Sequence, residues 1–312
     1  MPDCSCTQSF YGVSKMIKYE IRKLLRRPIF LFMLLISLGI QIVCALSWLD
    51  EIRPESAYRQ LLQEYAACSL DEAVEKITLE SASAEDSHFR NYEAEYEAGE
   101  ITIDEYRAYQ QAFPQRAAYY SATQGLLSQV EQLAAVKENL EKSDVDGSNI
   151  RVIDETGWIL ADKLRNIWWC PLVLAFLSVA IFCEWHDVGM YDLILTTANG
   201  KRRTWLSKLC VFTAIALVVS VIDALTVYLI PKWLYGLGGA DAAIQSVALY
   251  GNRGYALTLK AYAVLTSLAR IAGDALAGLA WVLIAQYVKR SYQSIGIMLL
   301  IVIMAAMLLF AA

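Results

Sequence analysis

Three ionisable side chains lie inside long apolar stretches of this sequence: Asp223, Arg270 and Asp274. A charged side chain at the centre of a bilayer costs about 2.5–3.5 kcal/mol on insertion scales, so such residues are expected to face the bundle interior and pair. Arg270 and Asp274 are four residues apart, which puts them on one helix face, and Asp223 is a second candidate partner for the arginine. Two hypotheses remain open: an ion pair that fixes helix packing, and a polar patch along a substrate path.

The sequence patterns typical of catalysis and metal binding are missing. The chain has no phosphate-binding loop, no paired-histidine helix of the metalloprotease type and no serine nucleophile elbow. Its two histidines, His88 and His186, are far apart, and four of its seven cysteines lie in or beside the apolar stretches, where they resemble small buried apolar residues. We therefore expect no catalytic residue, no cofactor and no metal site in this chain.

The composition indicates a membrane protein. Of the 312 residues, 57% are apolar and 19% are charged, whereas soluble domains average about 45–50% apolar and about 25% charged residues. The mean hydropathy is +0.38. A net charge of -5 gives no surface for a polyanion, which excludes a nucleic-acid-binding protein.

The apolar residues fall into five stretches, each about long enough for a transmembrane helix. A helix needs about 20 residues to cross about 30 Å of hydrocarbon. The first stretch is 29–48, and the others lie near 166–183, 209–230, 256–288 and 294–312. The predicted fold is therefore an all-α, polytopic membrane protein with about five transmembrane helices. A cleaved signal peptide is the alternative for the first stretch, but a signal has only about 7–15 apolar residues.

Residues 49–165 differ in composition from the rest of the chain. They hold 24 of the 32 acidic and 11 of the 27 basic residues, a local charge of -13. Apolar residues recur there at helical spacing, as in Leu126, Val130, Leu133 and Leu140. This pattern predicts a helical extracytoplasmic domain built from one or two hairpins.

Lysine and arginine residues near the span ends predict the orientation. They cluster before the first span, at 201–208 and at 289–290, and five spans put all three clusters on one side. By the positive-inside rule that side is the cytoplasm, so the protein is predicted to be a multi-pass protein of the plasma membrane with a cytoplasmic N-terminus.

Residues 1–28 are predicted to contain an amphipathic helix that lies flat on the membrane. Within 13–27 the apolar side chains share one face and the basic side chains lie opposite, which favours contact with anionic lipid. Glu20 falls on the apolar side of this helix. It either reaches water at the helix edge or makes a fixed contact with a neighbouring cytoplasmic loop.

The cytoplasmic stretch 184–208 is longer than a plain connection requires. Residues 188–195 can form a short amphipathic helix, Asn199 and Gly200 form a turn, and basic residues follow. These bases act either as a topology signal alone or as part of a docking segment.

This order of residues resembles the permease subunits of type-two ATP-binding-cassette (ABC) transporters. In that family an acidic residue ends the second span, followed by a glycine, a short helix with small polar residues at its end, a Gly-Arg or Ser-Arg pair and a lysine at the third span. The matching positions, together with the adjacent Lys201, are Glu184, Gly189, Leu193, Thr196, Thr197, Gly200, Arg202 and Lys208. The N-terminal YEIRKLLRRPIF similarly resembles the family's elbow helix, and Glu20 stands where the family often has a glutamate.

The resemblance implies a membrane-spanning subunit of an ATP-driven exporter. Residues 188–200 would be the coupling helix that sits in a groove of a separate ABC ATPase subunit, where ATP hydrolysis takes place. Two membrane subunits, identical or different, would assemble with two ATPase subunits. The family has six spans and five are predicted here, so we expect either a chain truncated before the sixth span or a fold without it.

Two other classes of function remain open from the sequence. One is a membrane-anchored sensor or immunity protein whose outer domain binds a peptide or an envelope component. The other is an ion-coupled carrier, which would depend on Asp223, Arg270 or Asp274 for ion movement.

Overall fold

The computed structural model describes residues 18, 21–22, 28–48, 56–66, 68–142, 149–167, 169–183, 200–253, 257–288 and 290–311. Six predicted site residues lie outside these ranges, namely Glu20, Glu184, Gly189, Leu193, Thr196 and Thr197. Most of the predicted elbow helix and of the predicted coupling helix is outside them as well.

The described part of the chain is helical and contains no strand. The prediction of an all-α chain is confirmed within these ranges. The helices are α1 (Pro28–Ser47), α2 (Ser56–Tyr65), α3 (Leu70–Phe89), α4 (Tyr92–Glu97), α5 (Ile103–Lys142), α6 (Thr156–Arg165), α7 (Cys170–Phe182), α8 (Gly200–Leu234), α9 (Leu259–Val288) and α10 (Ser291–Ala311). Two short 3₁₀ turns, Ile244–Ser246 and Ala248–Tyr250, lie between α8 and α9.

Three described stretches are long and apolar enough to cross a membrane. They are Thr156–Phe182, Thr204–Leu234 and Leu259–Val288, and two shorter apolar helices cover Leu34–Ser47 and Ser291–Ile301. Large apolar side chains such as Leu217 on α8 and Leu276 on α9 are exposed, as expected for surfaces that face lipid. The chain is thus a helical protein of the membrane class, while the count of five spans stays a prediction.

The chain divides into two compact units, which we call the bundle unit and the hairpin unit. The bundle unit comprises residues 1–46, 163–229 and 266–312, and the hairpin unit comprises 47–162 and 230–265. The hairpin unit therefore contains most of the predicted domain 49–165 and also a later segment, which the change in composition did not indicate.

The core of the bundle unit is formed by α7, α8, α9 and α10. Leu174, Leu177 and Phe212 are fully buried there. Gly278 of α9 faces the Phe212 ring, and a Cβ atom at this position would lie 3.3 Å from the ring. The missing side chain allows α8 and α9 to approach closely, as small residues do in membrane helix pairs.

The hairpin unit is held together by α2, α3 and α5. The predicted apolar stripe of α5 is buried against the other two helices at Leu126, Val130, Leu133 and Leu140. The helix extends well beyond the predicted stripe, because Thr102 and Glu105 cap its first turn with reciprocal hydrogen bonds of 2.8 and 3.4 Å.

One carboxylate connects α2, α3 and α5 of this unit. Glu80 of α3 accepts hydrogen bonds from the hydroxyls of Tyr65 on α2 and Tyr119 on α5. Burial, and then the hydrogen bond to Glu80, raise the pKa of Tyr65 above 10 and that of Tyr119 to about 12. The phenol form is therefore favoured in the folded state.

This arrangement predicts a loss of stability in alkali. Because the folded-state pKa lies above the unfolded value of 10.0, the stabilisation is present below pH 10 and is lost as the pH rises through about 12. The unfolding temperature of the full chain should fall across this interval, and the fall should be smaller for Tyr119→Phe. The control is Tyr96→Phe, a substitution at another tyrosine of the unit. Its unfolding temperature should fall as much as that of the wild type.

Candidate functional site

The candidate site is a group of polar side chains inside the bundle unit, which we call the polar cluster. It contains Gln41 of α1, Cys170 of α7, Ser220 and Asp223 of α8, and Arg270 and Asp274 of α9. Except for Arg270, which is half-buried, all of them are buried. Four helices that are far apart in sequence thus contribute to one polar site among apolar surroundings.

Asp223 and Arg270 form the central ion pair. The Arg270 Nε donates to Asp223 Oδ2, and the Gln41 amide donates to Asp223 Oδ1 at 3.0 Å. Both carboxylate oxygens are therefore satisfied. From the sequence, Asp223 and Asp274 were both candidate partners of Arg270. In the structure Arg270 pairs with Asp223 on the neighbouring helix α8 and not with Asp274, one turn further along α9.

The remaining nitrogens of Arg270 bind backbone. Its Nη1 donates to the Arg165 carbonyl and its Nη2 to the Ile167 carbonyl at 2.8 Å. These carbonyls lie where α6 ends, and the last carbonyls of a helix have no partner within it. A cation at this end also complements the helix dipole. Arg270 therefore satisfies backbone carbonyls at the end of α6 as well as pairing with Asp223.

Asp274 forms no ion pair among the described residues, and its side-chain hydrogen bonds are with Cys170 and Ser220. Its side chain is buried, with only 6% of the residue exposed, and its Oδ2 has no hydrogen-bond partner among the described residues. One donor atom each from Cys170, Asp223 and Asp274 lie within 4.8 Å of one another. The Cys170 Sγ is also 3.8 Å from the Ser220 Oγ. The site therefore holds a second acidic group next to a thiol.

The structure adds three residues that the sequence did not single out. Gln41 has a polar amide side chain and lies in a long apolar stretch without charged residues. This polar residue was a signal available in the sequence. Ser220 lies three residues before Asp223 on α8, so its proximity follows from helical spacing. Cys170 gave no such signal, because its nearness to the aspartates depends on how α7 packs.

The described part of the predicted coupling segment lies at the start of α8. Gly200 and Lys201 stand in its first turn, and Arg202 is exposed. Lys208, the lysine of the family pattern at the third span, is buried, and its ammonium donates to the Ile181 carbonyl near the end of α7. The helices before and after 184–199 are therefore joined directly.

The hairpin unit contains a separate polar cavity of about 460 Å³. Arg59 of α2 contributes to its lining, and its Nε is buried without a hydrogen-bond partner among the residues that the structure describes. The guanidinium lies 5.7 Å from the centre of the Tyr235 ring. Arg151, Asp154 and Asp241 also line the cavity, so both signs of charge are present.

Comparison with models of known protein families finds no match to this chain. Comparisons with curated proteins and with solved structures find no match either.

Proposed function

We propose that this chain is the membrane-spanning permease subunit of an ABC exporter that is energised by a separate ATPase subunit. The observation that supports this most directly is the hydrogen bond from Lys208 to the Ile181 carbonyl. A buried ammonium costs free energy unless it is well bound, and here its partner lies at the negative end of a helix dipole. The two helices that flank 184–199 are therefore fixed to each other.

The hydrogen bond between Lys208 and Ile181 suits a role of residues 184–199 in transmitting movement. If an ATPase subunit displaces residues 184–199, the displacement reaches α7 and α8 together, since Lys208 and Ile181 connect them. Both helices contribute to the polar cluster through Cys170, Ser220 and Asp223. Lys208 is accordingly a positioning residue, while the exposed Arg202 at the start of α8 is available for contact with the ATPase subunit.

The assembly that we propose follows the resemblance of the sequence. Two membrane subunits, identical or different, bind two ATPase subunits in the plasma membrane, with the N-terminus and residues 184–208 in the cytoplasm. Five spans carry residues 49–165 on the outer side as an extracytoplasmic domain. ATP hydrolysis belongs to the partner, since this sequence has no nucleotide-binding motif.

The coupling role predicts that Arg202→Glu weakens binding of the ATPase subunit. Reversing this charge replaces attraction by repulsion at the contact, and about 1.4 kcal/mol suffices for a tenfold loss. Lys232→Glu is the matched control, because Lys232 is an exposed basic residue at the opposite end of the same helix. We expect a mild-detergent pull-down from native membranes to recover at least tenfold less ATPase with Arg202→Glu and an unchanged amount with Lys232→Glu.

Two results would refute this proposal at different levels. If Arg202→Glu inserts with the wild-type orientation, shown by protease accessibility, and still recovers equal amounts of ATPase, the docking role of Arg202 is wrong. If the intact wild-type chain recovers no nucleotide-binding protein from its own membranes, the transporter function itself is wrong.

The cavity of the hairpin unit favours one alternative function. An arginine such as Arg59, whose Nε has no hydrogen-bond partner within the described ranges, is suited to an acceptor group of a ligand, such as a peptide carboxylate or an envelope component. A membrane-anchored sensor or immunity protein would use this cavity and would need no ATPase, so the pull-down separates the two functions.

A further inference from the structure

Asp274 presents a buried acceptor that the described residues leave unsatisfied. All three nitrogens of the neighbouring Arg270 guanidinium are engaged by Asp223 and by the carbonyls of Arg165 and Ile167. The Asp274 Oδ2 has no hydrogen-bond partner. A buried acceptor without a partner costs about 1–3 kcal/mol, and more if it is charged. This oxygen can therefore accept a further donor or bind a cation.

The atoms around this oxygen are metal-ligand types at a suitable separation. A Cys170 sulfur and one oxygen each from Asp223 and Asp274 lie within 4.8 Å of one another. Zinc binds thiolate sulfur at about 2.3 Å and carboxylate oxygen at about 2.0–2.2 Å, so two donors of one ion are at most about 4.5 Å apart. The three donor atoms thus lie close to the largest separation that two donors of one ion can have.

With all three ligands ionised, as metal binding requires, the charges of the site match a divalent ion. Two carboxylates and a thiolate carry three negative charges, and Arg270 adds one positive charge, which leaves a charge of two to be neutralised. A monovalent ion would leave one negative charge buried. The thiolate further favours a transition metal over magnesium or calcium, which prefer oxygen donors alone.

We propose that Cys170, Asp223 and Asp274 bind a divalent transition-metal cation of the zinc type. Binding breaks the S–H bond of Cys170 and forms a metal–sulfur bond, and the thiol proton passes to solvent together with any proton on Asp274. Gln41 and Arg270 hold Asp223 in place, as residues behind metal ligands commonly do. The ion joins α7, α8 and α9, and this role does not depend on the proposed transporter function.

The test uses the full-length chain with Cys4→Ser and Cys6→Ser, which removes the closely spaced cysteine pair of the N-terminus. The protein is purified in mild detergent, freed of metal with a chelator and titrated with Co²⁺ as a spectroscopic probe. We expect one Co²⁺ per chain with thiolate-to-cobalt charge-transfer absorption, and displacement by Zn²⁺. Cys170→Ser should abolish this absorption, and Asp274→Asn should weaken binding at least tenfold.

Cys183→Ser is the matched control, because Cys183 is equally buried at the other end of α7. It should bind Co²⁺ as the parent does. Added Zn²⁺ should raise the unfolding temperature of the parent and of Cys183→Ser, but not that of Cys170→Ser or Asp274→Asn. Size-exclusion chromatography establishes that each variant is folded.

The proposal is overturned if the folded parent binds no saturable Co²⁺, or binds it without charge-transfer absorption. It is also overturned if Cys170→Ser or Asp274→Asn leaves the affinity unchanged. Should Cys170→Ser fail to fold, the absorption of the parent and the affinity of Asp274→Asn still decide the question. No ATPase takes part in these measurements, so their outcome is independent of the pull-down.

Discussion

Replacing Arg270 by glutamine is expected to destabilise the bundle unit by about 3–5 kcal/mol, the usual cost of removing one member of a buried ion pair. The variant leaves the Asp223 carboxylate without its counter-charge and the carbonyls of Arg165 and Ile167 without their donor. Asp223→Asn should cost less, because Arg270 keeps both carbonyls and the asparagine oxygen still accepts. The ordering of the two single variants is thus part of the prediction.

The double variant Asp223→Asn/Arg270→Gln separates pairing from packing. Without a buried unpaired charge it should be more stable than Arg270→Gln alone, which gives a coupling free energy above about 1 kcal/mol in a double-mutant cycle. The unfolding temperature of each variant is measured in detergent by size-exclusion chromatography of heated samples. Lys260→Gln, at an exposed basic residue of the same helix, should stay close to wild type. Additive effects of the two single variants would contradict the ion-pair assignment.

The second large effect is expected at Gly157, in the first turn of α6. A Cβ atom there would lie 2.1 Å from the carbonyl oxygen of Gly236 and 3.2 Å from the Leu237 side chain. Gly236 has a φ of +82°, a conformation that residues other than glycine rarely adopt. The next residue, Trp158, donates to the Gly238 carbonyl at 2.9 Å, and a shift of α6 would break this bond as well.

Gly157→Ala should therefore destabilise the hairpin unit by at least the roughly 1–3 kcal/mol typical of overpacking. Gly125→Ala, in the same unit, is the control and should increase the free energy of unfolding instead of lowering it. Its Cβ would meet the Tyr58 ring at an ordinary 3.7 Å, and alanine within a helix gains about 0.5–1 kcal/mol over glycine. Thermal unfolding of both full-length variants tests the pair. A Gly157→Ala chain as stable as Gly125→Ala would show that the turn around Gly236 is not a fixed contact.

Much of the helical architecture follows from local patterns. The apolar stretches near 166–183, 209–230 and 256–288 each overlap one of the three segments that are long and apolar enough to cross a membrane, and the stripe around Leu126 and Leu133 is buried. These features depend on periodicity and length, which neighbouring residues fix. The beginning of α8 at Gly200 likewise follows a turn signal in the sequence.

The candidate site was only partly predictable, because its contacts join residues far apart in the chain. The free-energy cost of a charged side chain inside an apolar stretch explains why Asp223 and Arg270 could be identified from the sequence. It does not indicate that Arg270 also binds the Arg165 and Ile167 carbonyls, more than 100 residues away. Lys208 shows the same limit, since its position before the third apolar stretch does not indicate that packing against α7 buries it.

The order in which the ribosome makes this chain gives the central ion pair a consequence for biogenesis. Asp223 is synthesised 47 residues before its counter-charge. At about 5–20 residues per second, the aspartate waits about 2–10 s for Arg270 to emerge. The helices made first therefore cannot complete their packing one by one during insertion. The central ion pair of the bundle unit can therefore form only after Arg270 of α9 has been made, late in the synthesis of the chain.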